Sequence, residues 1–210
     1  MLSRRDKKSG TPGWWEVPPP RLFRFPQGDI VCSDALVFLS SLRKASADIV
    51  FLDPPFNLGK RYGDNVTTSD RLAEEEYFQY LSKVLNRSVY ILKNGGALYL
   101  YHLPRWAFRF ANVLYPQMTF RHWIAVSMKN GYPRRKHLYP AHYSLLYFTK
   151  GRPREFKRPK IETPRCRHCN KYVKDYGGYE PFIRRGINLS DVWEDLSPVR
   201  HKKYKHRESN

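Results

Sequence analysis

The sequence is short of acidic residues and of long apolar runs. Its 210 residues include 19 Asp and Glu against 38 Lys and Arg, which gives a formal net charge of +19. Such an excess favours a polyanionic partner, most simply nucleic acid, although a merely basic surface would have the same composition. No apolar run approaches the roughly 20 residues of a membrane span, and the N-terminal MLSRRDKKSGTPGWWEVPPP lacks the apolar core of a secretory signal. We therefore expect a soluble protein of the cell interior.

Cysteine is also scarce, which argues against a disulfide scaffold. Cys32 stands alone, and Cys166 and Cys169 form the one C-x-x-C pair. An odd count with a single pair is not typical of a disulfide framework. A structural zinc site needs four ligands; Cys166 and Cys169 would supply two, and His201 and His206 are candidates for the others. The alternatives are two free thiols on a loop, or a half-site completed by another chain.

The chain divides into four parts by composition. Residues 1–26 are charged and rich in proline, and we expect them to form a flexible basic arm. Residues 27–151 carry regular hydrophobic patterns and form the predicted α/β part. Residues 152–197 are basic and loop-rich, typical of an insertion, a zinc-like segment or a linker, and residues 198–210 form a basic tail.

Strand and helix patterns alternate within the α/β part. The stretch ADIVFL is apolar on both faces, a pattern that belongs to a parallel strand covered by helices. The helix predicted over 70–92 carries an apolar stripe, and we expect Asn94-Gly95-Gly96 to end it. The other predicted strands are GDIVCS, ALYLYHL, HWIAVSMKN and HYSLLYFTKG, and the other predicted helices are DALVFLSSL and PRWAFRFANVLY. This alternation predicts an open, mostly parallel sheet with helices on both faces.

The strand ADIVFL ends on Asp53-Pro54-Pro55-Phe56, and this turn carries the candidate chemistry. Ligands of open α/β sheets bind beyond the carboxyl ends of the strands. The two prolines have no N–H and fix φ, so they hold backbone carbonyls and the Asp53 carboxylate in one geometry beside the flat face of Phe56. The bland alternative is a strand-ending turn, with Asp53 as a cap and Phe56 in the core.

A pocket of acceptors with a stacking face suits a planar ring that bears an exocyclic amino group. Two acceptors can hold both N–H bonds and favour a tetrahedral nitrogen, whose lone pair can then attack an activated methyl group. A base in a duplex cannot reach such a pocket, so the target nucleotide would have to be flipped out.

The sequence resembles DNA amino-methyltransferases of the adenine-N-6 or cytosine-N-4 type, which have a Rossmann-like fold. The resemblance covers residues 28–210 and is carried by GDIVCSDALVFLSSL, ADIVFLDPPFN, LNRSVYILKNGGALYLY, HYSLLYFTKG and DVWEDLSPVRHKKYKHRESN. It implies a catalytic motif of Asp53, Pro54, Pro55 and Phe56, in which Asp53 and Pro54 accept the amino group and Phe56 stacks on the base. Asp53 and Asn57 would border the cofactor, S-adenosylmethionine.

The resemblance also implies a partner and a setting. The partner is double-stranded DNA in a prokaryotic cytoplasm, at the nucleoid, within a restriction–modification or solitary-methylase system. Residues 152–197 would then be a target-recognition region. Aspartate at position 53 favours adenine over cytosine, because cytosine enzymes that resemble this family often have serine there. Methylation of RNA or of a protein amide is a weaker reading.

One element that the resemblance implies is missing from the sequence. Members with this motif order end with a glycine-rich turn, reading about DPFxGxGT, which wraps the methionine part of the cofactor. The chain has twelve glycines, and no two of them are separated by a single residue. Three readings follow: a subunit whose second chain supplies the cofactor half, a truncated piece, or a DNA-binding remnant. We expect negligible methyl transfer by the isolated chain.

Basic clusters are the candidate DNA-binding residues, because lysine and arginine neutralise phosphates and interleaved aromatics can stack on bases. The clusters are KNGYPRRK over 129–136, RPREFKR over 152–158 and the tail over 200–207. A solvated basic surface is the alternative. The predicted contacts are Lys129, Arg134, Arg135, Lys136, Arg152, Arg154, Lys202 and Lys203.

Overall fold

A five-stranded sheet is the centre of the computed structural model, which describes residues 21–60, 69–128, 138, 140–173 and 180–194. The strands are β1 (Arg21–Phe25), β2 (Gly28–Cys32), β3 (Ala47–Leu52), β4 (Leu92–His102), β5 (Thr119–Ser127), β6 (His142–Thr149), β7 (Lys160–Ile161), β8 (Ile187–Asn188) and β9 (Val192–Trp193). The helices are α1 (Ala35–Ser41), α2 (Glu74–Ile91), α3 (Pro104–Leu114) and α4 (Glu180–Ile183). None of these helices is both long and apolar enough to cross a membrane.

The central sheet has the strand order β3-β4-β6-β5-β9. β3 is parallel to β4 and β5 is parallel to β9, whereas β6 is antiparallel to both of its neighbours. Every strand of this sheet except β6 therefore runs in the same direction, and the predicted α/β class with a mostly parallel sheet is confirmed.

Helices α1, α2 and α3 pack together on one face of this sheet. Their apolar side chains form the main core with alternate residues of β3, β4 and β6, among them Leu98, Leu100 and Leu146, which are fully buried. The stripe predicted on α2 lies in this core and is confirmed.

The opposite face of the sheet has no helix packed against it among the described residues. It holds a smaller cluster around Ile124, Val126 and Leu145, flanked by partly buried tyrosines and Trp193. Side chains alternate along a strand, so β3 turns Val50 to the core, while Ile49 and Phe51 on the other face remain 64% and 60% exposed. Among the described residues, the predicted helices therefore cover one face of the sheet only.

The start of β4 differs from the sequence prediction. Helix α2 ends at Ile91 and β4 begins at Leu92, so the glycine pair does not end the helix. Instead the register with β3 shifts between the pairs Ala47–Leu92 and Ile49–Ala97, and the extra residues form a bulge. Gly95 has φ of +80°, and a Cβ on Gly96 would lie 2.9 Å from the carbonyl oxygen of Asp48, so the bulge requires both glycines.

The boundaries of the predicted parts also shift. Residues 21–25, placed in a flexible arm, form β1, which pairs with β2 in a separate antiparallel hairpin; residues 1–20 lie outside the described residues. Within 152–197, β7 pairs with β8 and β9 pairs with β5, so this segment contributes an edge strand to the central sheet.

Candidate active site

The four residues of the predicted catalytic motif follow β3 directly, at the carboxyl end of the parallel strands. The Asp53 side chain is only partly exposed, and no hydrogen bond to its carboxylate or to the Pro54 carbonyl is formed by the described residues. Partial burial raises the pKa of Asp53 above its usual value. The pKa of Tyr101 on the adjacent strand β4 is raised mainly by burial, then by Tyr143, and to the smallest extent by the negative charge of Asp53. The Asp53 carboxylate therefore has free acceptor capacity beside an aromatic wall.

The far end of the motif loop is tied to the start of α2. Asn57 has φ of +57° and is buried, and its amide bonds both ways with the backbone of Leu72, at 3.2 Å as donor and 2.7 Å as acceptor. Buried Asp70 accepts the N–H groups of Leu58 and Lys60 at 3.3 Å and 2.6 Å. Asn57 thus holds the loop. Its predicted contact with the cofactor remains a prediction.

The near end of the loop is tied through Tyr77 and His102, both fully buried. The Tyr77 hydroxyl lies 2.6 Å from the Pro55 carbonyl oxygen and 2.7 Å from His102 Nε2. His102 Nδ1 accepts the N–H of Leu103 at 2.8 Å. Burial, and to a smaller extent Arg105, lower the pKa of His102 to about 3, so the imidazole is neutral.

Phe56 lies half-buried in an aromatic group at the rim of the sheet. Its ring stacks on His102 with a centroid distance of 5.0 Å and an interplanar angle of 26°, and lies 5.9 Å from Tyr101 and 5.6 Å from Tyr143. The side chain is not part of the main buried core. This placement fits a ring with one supported face better than a core phenylalanine, although base stacking itself remains a prediction.

The structure does not bring Arg152 and Arg154 to the motif loop. Both are exposed and lie beside Gly95, and Arg154 forms an ion pair with Asp48 at 3.5 Å. Asp48 is at the start of β3, and the five-residue rise to Asp53 is roughly 16 Å at about 3.3 Å per residue. A DNA contact through these arginines would therefore lie at the other end of the sheet.

The remaining predicted DNA contacts, Lys129, Arg134, Arg135, Lys136, Lys202 and Lys203, lie outside the described residues. The residues that flank the first cluster are described: Met128 donates to the carbonyl of Ala141 at 2.7 Å, where β5 ends and β6 begins. β5 runs in the same direction as β3, and Tyr143 in β6 contacts Phe56. The described residues Met128 and Ala141 therefore lie at the end of the sheet that carries the motif.

Cys166 and Cys169 form a tight turn with Asn170, whose N–H donates to the Cys166 carbonyl at 2.9 Å. The backbone N–H groups of Cys169 and His168 lower the pKa of the Cys166 thiol. No group of three or more His, Cys, Asp or Glu side chains placed to hold a metal occurs in the described part of the chain. A zinc site at Cys166 and Cys169 is thus unsupported, and His201 and His206 lie outside the described residues.

A hollow of about 950 Å³ opens on the uncovered face of the sheet, towards the start of β3. Its walls include Ile49, Tyr99, Tyr147 and Trp193. Tyr99 and Tyr147 stack across β4 and β6 with centroids 4.7 Å apart, and burial, followed by Tyr147, raises the pKa of Tyr99 to about 12. The hollow is open and has both apolar and charged residues in its walls, and none of the motif residues 53–56 lines it, so it is separate from the motif loop.

Sequence reasoning missed Asp70, Tyr77 and His102. Asp70 stood at the expected start of a helix, and Tyr77 was one aromatic residue within it. His102 could have been found, because it ends the strand ALYLYHL at the same sheet edge as Asp53.

Comparison with known proteins agrees with this geometry. The family model described as "DNA methylase", of the N6/N4 type, matches residues 47–209. The type II methyltransferase M.BamHI from Bacillus amyloliquefaciens is 40% identical over 185 residues, which cover 87% of this chain and 43% of the relative. The type II methyltransferase M.HpaI from Haemophilus parainfluenzae is 30% identical over 167 residues, which cover 79% of this chain and 49% of the relative.

The solved structure of the PvuII DNA methyltransferase (cytosine-N4-specific) shares the fold, with a TM-score of 0.52 at 13% identity over 82% of this chain and 58% of that one. The chain spans less than half the length of M.BamHI and M.HpaI, at 43% and 49%. The match to residues 47–209 covers most of the chain and includes the motif loop, the helices α2 and α3 and the central sheet. The chain therefore belongs to the N6/N4-type DNA methylase family.

Proposed function

We propose that this chain is the target-base part of a DNA amino-methyltransferase of a restriction–modification system, acting on the exocyclic amino group of adenine in double-stranded DNA. The observation that carries the proposal is the Asp53 carboxylate, which has no hydrogen-bond partner among the described residues, near the half-buried ring of Phe56 at the carboxyl end of β3. Cytosine is the second candidate base, because both bases present the same kind of amino group.

The proposed chemistry needs only acceptors and a stacking face from this chain. Asp53 and the Pro54 carbonyl accept the two N–H bonds of the amino group and stabilise the positive charge that develops on its nitrogen. Phe56 supports the flipped-out ring, whose removal from the duplex costs a few kcal/mol. The Asp53 carboxylate then accepts the proton that the methylated nitrogen releases. When bound, S-adenosylmethionine would supply the methyl group, with its methyl–sulfur bond breaking and S-adenosylhomocysteine as the leaving group.

The residues that would hold S-adenosylmethionine fit only in part. Asp53 would border the expected cofactor site. The Asn57 amide, however, already bonds the backbone of Leu72 through both its nitrogen and its oxygen, and the sequence has no two glycines separated by one residue. We therefore assign the main cofactor contacts to polypeptide outside this chain, either a second chain or the remainder of a longer protein.

The open side of β3 supports this assignment. β3 is an edge strand among the described residues, and its side chains Ile49 and Phe51 are largely exposed. An edge strand with exposed apolar residues is a template for pairing with another strand. Since the chain also covers less than half of M.BamHI, further strands and helices outside this chain would complete the sheet at the β3 edge.

A chimera tests the proposal. This chain would replace the 185 aligned residues of M.BamHI, and DNA from the expressing cells would be digested to nucleosides and weighed. We expect N6-methyladenine from the chimera, none from the isolated chain, and none from the chimera with Asp53→Ala. Asp48→Ala, the matched control at the other end of β3, should keep methylation. Detection of N4-methylcytosine instead would show that the target base is cytosine and not adenine.

A DNA-binding fragment without turnover is the second candidate function, favoured by the net charge of +19 and by the missing glycine-rich turn. The same chimera separates the two. A folded chimera that binds DNA but leaves both bases unmethylated would contradict methyl transfer and favour the fragment.

A further inference from the structure

We propose that Tyr77 and His102 are positioning residues that set the geometry of the motif loop for the target base. This inference rests on the proposed function, since it concerns how the same loop receives the base. Neither residue reaches solvent. Both act through Pro55 and Phe56, which follow the two proposed acceptors.

The hydrogen bonds around His102 fix its tautomer. Nδ1 accepts the N–H of Leu103 at 2.8 Å, so it carries no proton, and a neutral imidazole then has its proton on Nε2. Nε2–H therefore donates to the Tyr77 oxygen across 2.7 Å. The Tyr77 O–H in turn donates to the Pro55 carbonyl at 2.6 Å.

This chain of donors has one direction. It runs from the backbone of Leu103 through His102 and Tyr77 to Pro55, and each reversal would leave a buried acceptor or donor without a partner. Such an unpaired group costs roughly 1–3 kcal/mol. The imidazole of His102 therefore fixes the orientation of the Pro55 carbonyl through the Tyr77 hydroxyl. Because φ is fixed in both prolines, few backbone dihedrals remain free between Asp53 and Phe56.

His102 acts on the loop through a second contact as well. The face of its imidazole supports the Phe56 ring at a centroid distance of 5.0 Å. One buried ring thus sets both the carbonyl of Pro55 and the plane of Phe56, in the two residues that follow the proposed acceptors. The Tyr77 ring is held in turn against Trp106, with centroids 4.7 Å apart, so the support is part of the main core.

The placement is unusual for residues that serve stability alone. Tyr77 and His102 lie among Trp106 and Phe110, where apolar side chains of similar size would pack without any polar group to satisfy. A buried polar chain gives rigidity only when all of its members are paired. Here the paired chain ends on the loop that carries Asp53, which is where rigidity affects base binding.

Tyr77→Phe and Tyr80→Phe form a matched pair for the test. Both residues are on α2, and each change removes one hydroxyl group; Tyr80 bonds Asp34 at 3.0 Å, away from the motif loop. The full chain, labelled with ¹³C and ¹⁵N, would be titrated with deoxyadenosine and deoxycytidine monophosphates by NMR. Without added nucleotide, contacts between the Phe56 and Tyr101 rings would report the loop geometry.

We expect Tyr77→Phe to lose more thermal stability than Tyr80→Phe, because it leaves the buried Pro55 carbonyl and His102 Nε2–H without their partner. Only Tyr77→Phe should alter the Phe56–Tyr101 contacts and weaken nucleotide binding, by roughly tenfold for one lost hydrogen bond. Unchanged loop contacts in Tyr77→Phe would overturn the inference. Absence of any nucleotide shift at Asp53 and Phe56 in the wild type would count instead against the proposed function, while the ring contacts would still decide the positioning role.

His102→Gln and His102→Leu keep the inference testable if Tyr77→Phe does not fold. The glutamine amide can place an N–H near the Nε2 position, whereas leucine fills the space without a donor. We expect His102→Gln to retain the wild-type loop contacts and nucleotide affinity at least in part, and His102→Leu to lose both. Equal behaviour of the two variants would show that only packing matters, and would overturn the assignment.

Discussion

The carboxylate of Asp70 lies 2.6 Å from the backbone nitrogen of Lys60, and the N–H of Asp70 donates to the Lys60 carbonyl at 2.9 Å. These two bonds join the end of the motif loop to the approach of α2, ten residues further along the chain. Asp70 is 2% exposed and also accepts the N–H of Leu58. One buried carboxylate thus closes the loop that begins at Asp53.

Asp70→Ala should loosen this loop. It removes the charged acceptor of the Leu58 and Lys60 N–H groups, and since hydrogen bonds to a charged group are lost, we expect a decrease of roughly 1–3 kcal/mol in the free energy of unfolding. Urea denaturation followed by tryptophan fluorescence would measure it. Asp48→Ala is the matched control, because Asp48 is 64% exposed and its ion pairs with Lys93 and Arg154 are superficial, so its loss should stay below about 1 kcal/mol. Equal losses would contradict the clamp.

His102 should make the protein sensitive to acid. Burial lowers its pKa from 6.5 to about 3, so between these pH values the unfolded chain binds a proton at His102 and the folded chain does not. The stability that neutral His102 contributes is complete above pH 6.5 and is lost as the pH falls towards 3. We expect His102→Gln to narrow the difference between the unfolding free energies at pH 7.5 and pH 4.5.

The control for this pH effect is His142→Gln, at the partly exposed start of β6. Other groups titrate in the same range, so the comparison between variants carries the result rather than either curve alone. The idea fails if His102→Gln and His142→Gln have the same pH dependence as the wild type.

The sequence predicts the motif loop well because its signals are local. An apolar run that ends on an acid and two prolines places Asp53 at the carboxyl end of a strand, and the structure agrees. The stripe on α2 is equally local. The bulge at Gly95 and Gly96 was not predictable, because a glycine pair after a helix can end the helix or kink the next strand, and only the pairing with β3 decides.

Long-range partners account for the rest. Asp70 is the first residue of the helix predicted over 70–92, but its partners are Leu58 and Lys60, and α2 begins only at Glu74. His102 bonds a tyrosine 25 residues earlier. Such pairs depend on how two elements pack, which hydrophobic periodicity does not encode. The exposure of one face of β3 was unpredictable for the same reason. An apolar pattern indicates that a strand prefers burial, but not which polypeptide covers it.

The exposed edge of β3 should drive self-association of the isolated chain. Ile49 is 64% exposed on the uncovered face, and a lysine there removes apolar surface and introduces charge at an edge, as natural edge strands do. We expect Ile49→Lys to lower the associated fraction in sedimentation velocity while changing stability by no more than about 0.5 kcal/mol. Val50→Lys, one residue on, faces the core and should unfold the protein. If Ile49→Lys associated to the same extent as the wild type, the exposed edge of β3 would not be the surface that drives self-association.

Asp53 should cost the protein stability at neutral pH. Burial raises its pKa in the folded chain, so the folded state binds the proton more tightly than the unfolded state, and stability declines as the pH rises from the unfolded value of 3.8 through the raised folded value. Asp53→Asn removes the charge at similar size. We expect a higher melting temperature than the wild type at pH 7.5 and no gain at pH 3.5, measured by calorimetry. Asp48→Asn, the control at the other end of β3, should have the opposite effect at pH 7.5, because the hydrogen bond from Lys93 lowers the pKa of Asp48. A destabilised Asp53→Asn at pH 7.5 would mean that the carboxylate has a stabilising partner in the fold, and an acid already satisfied by the protein would be a poor acceptor for a base.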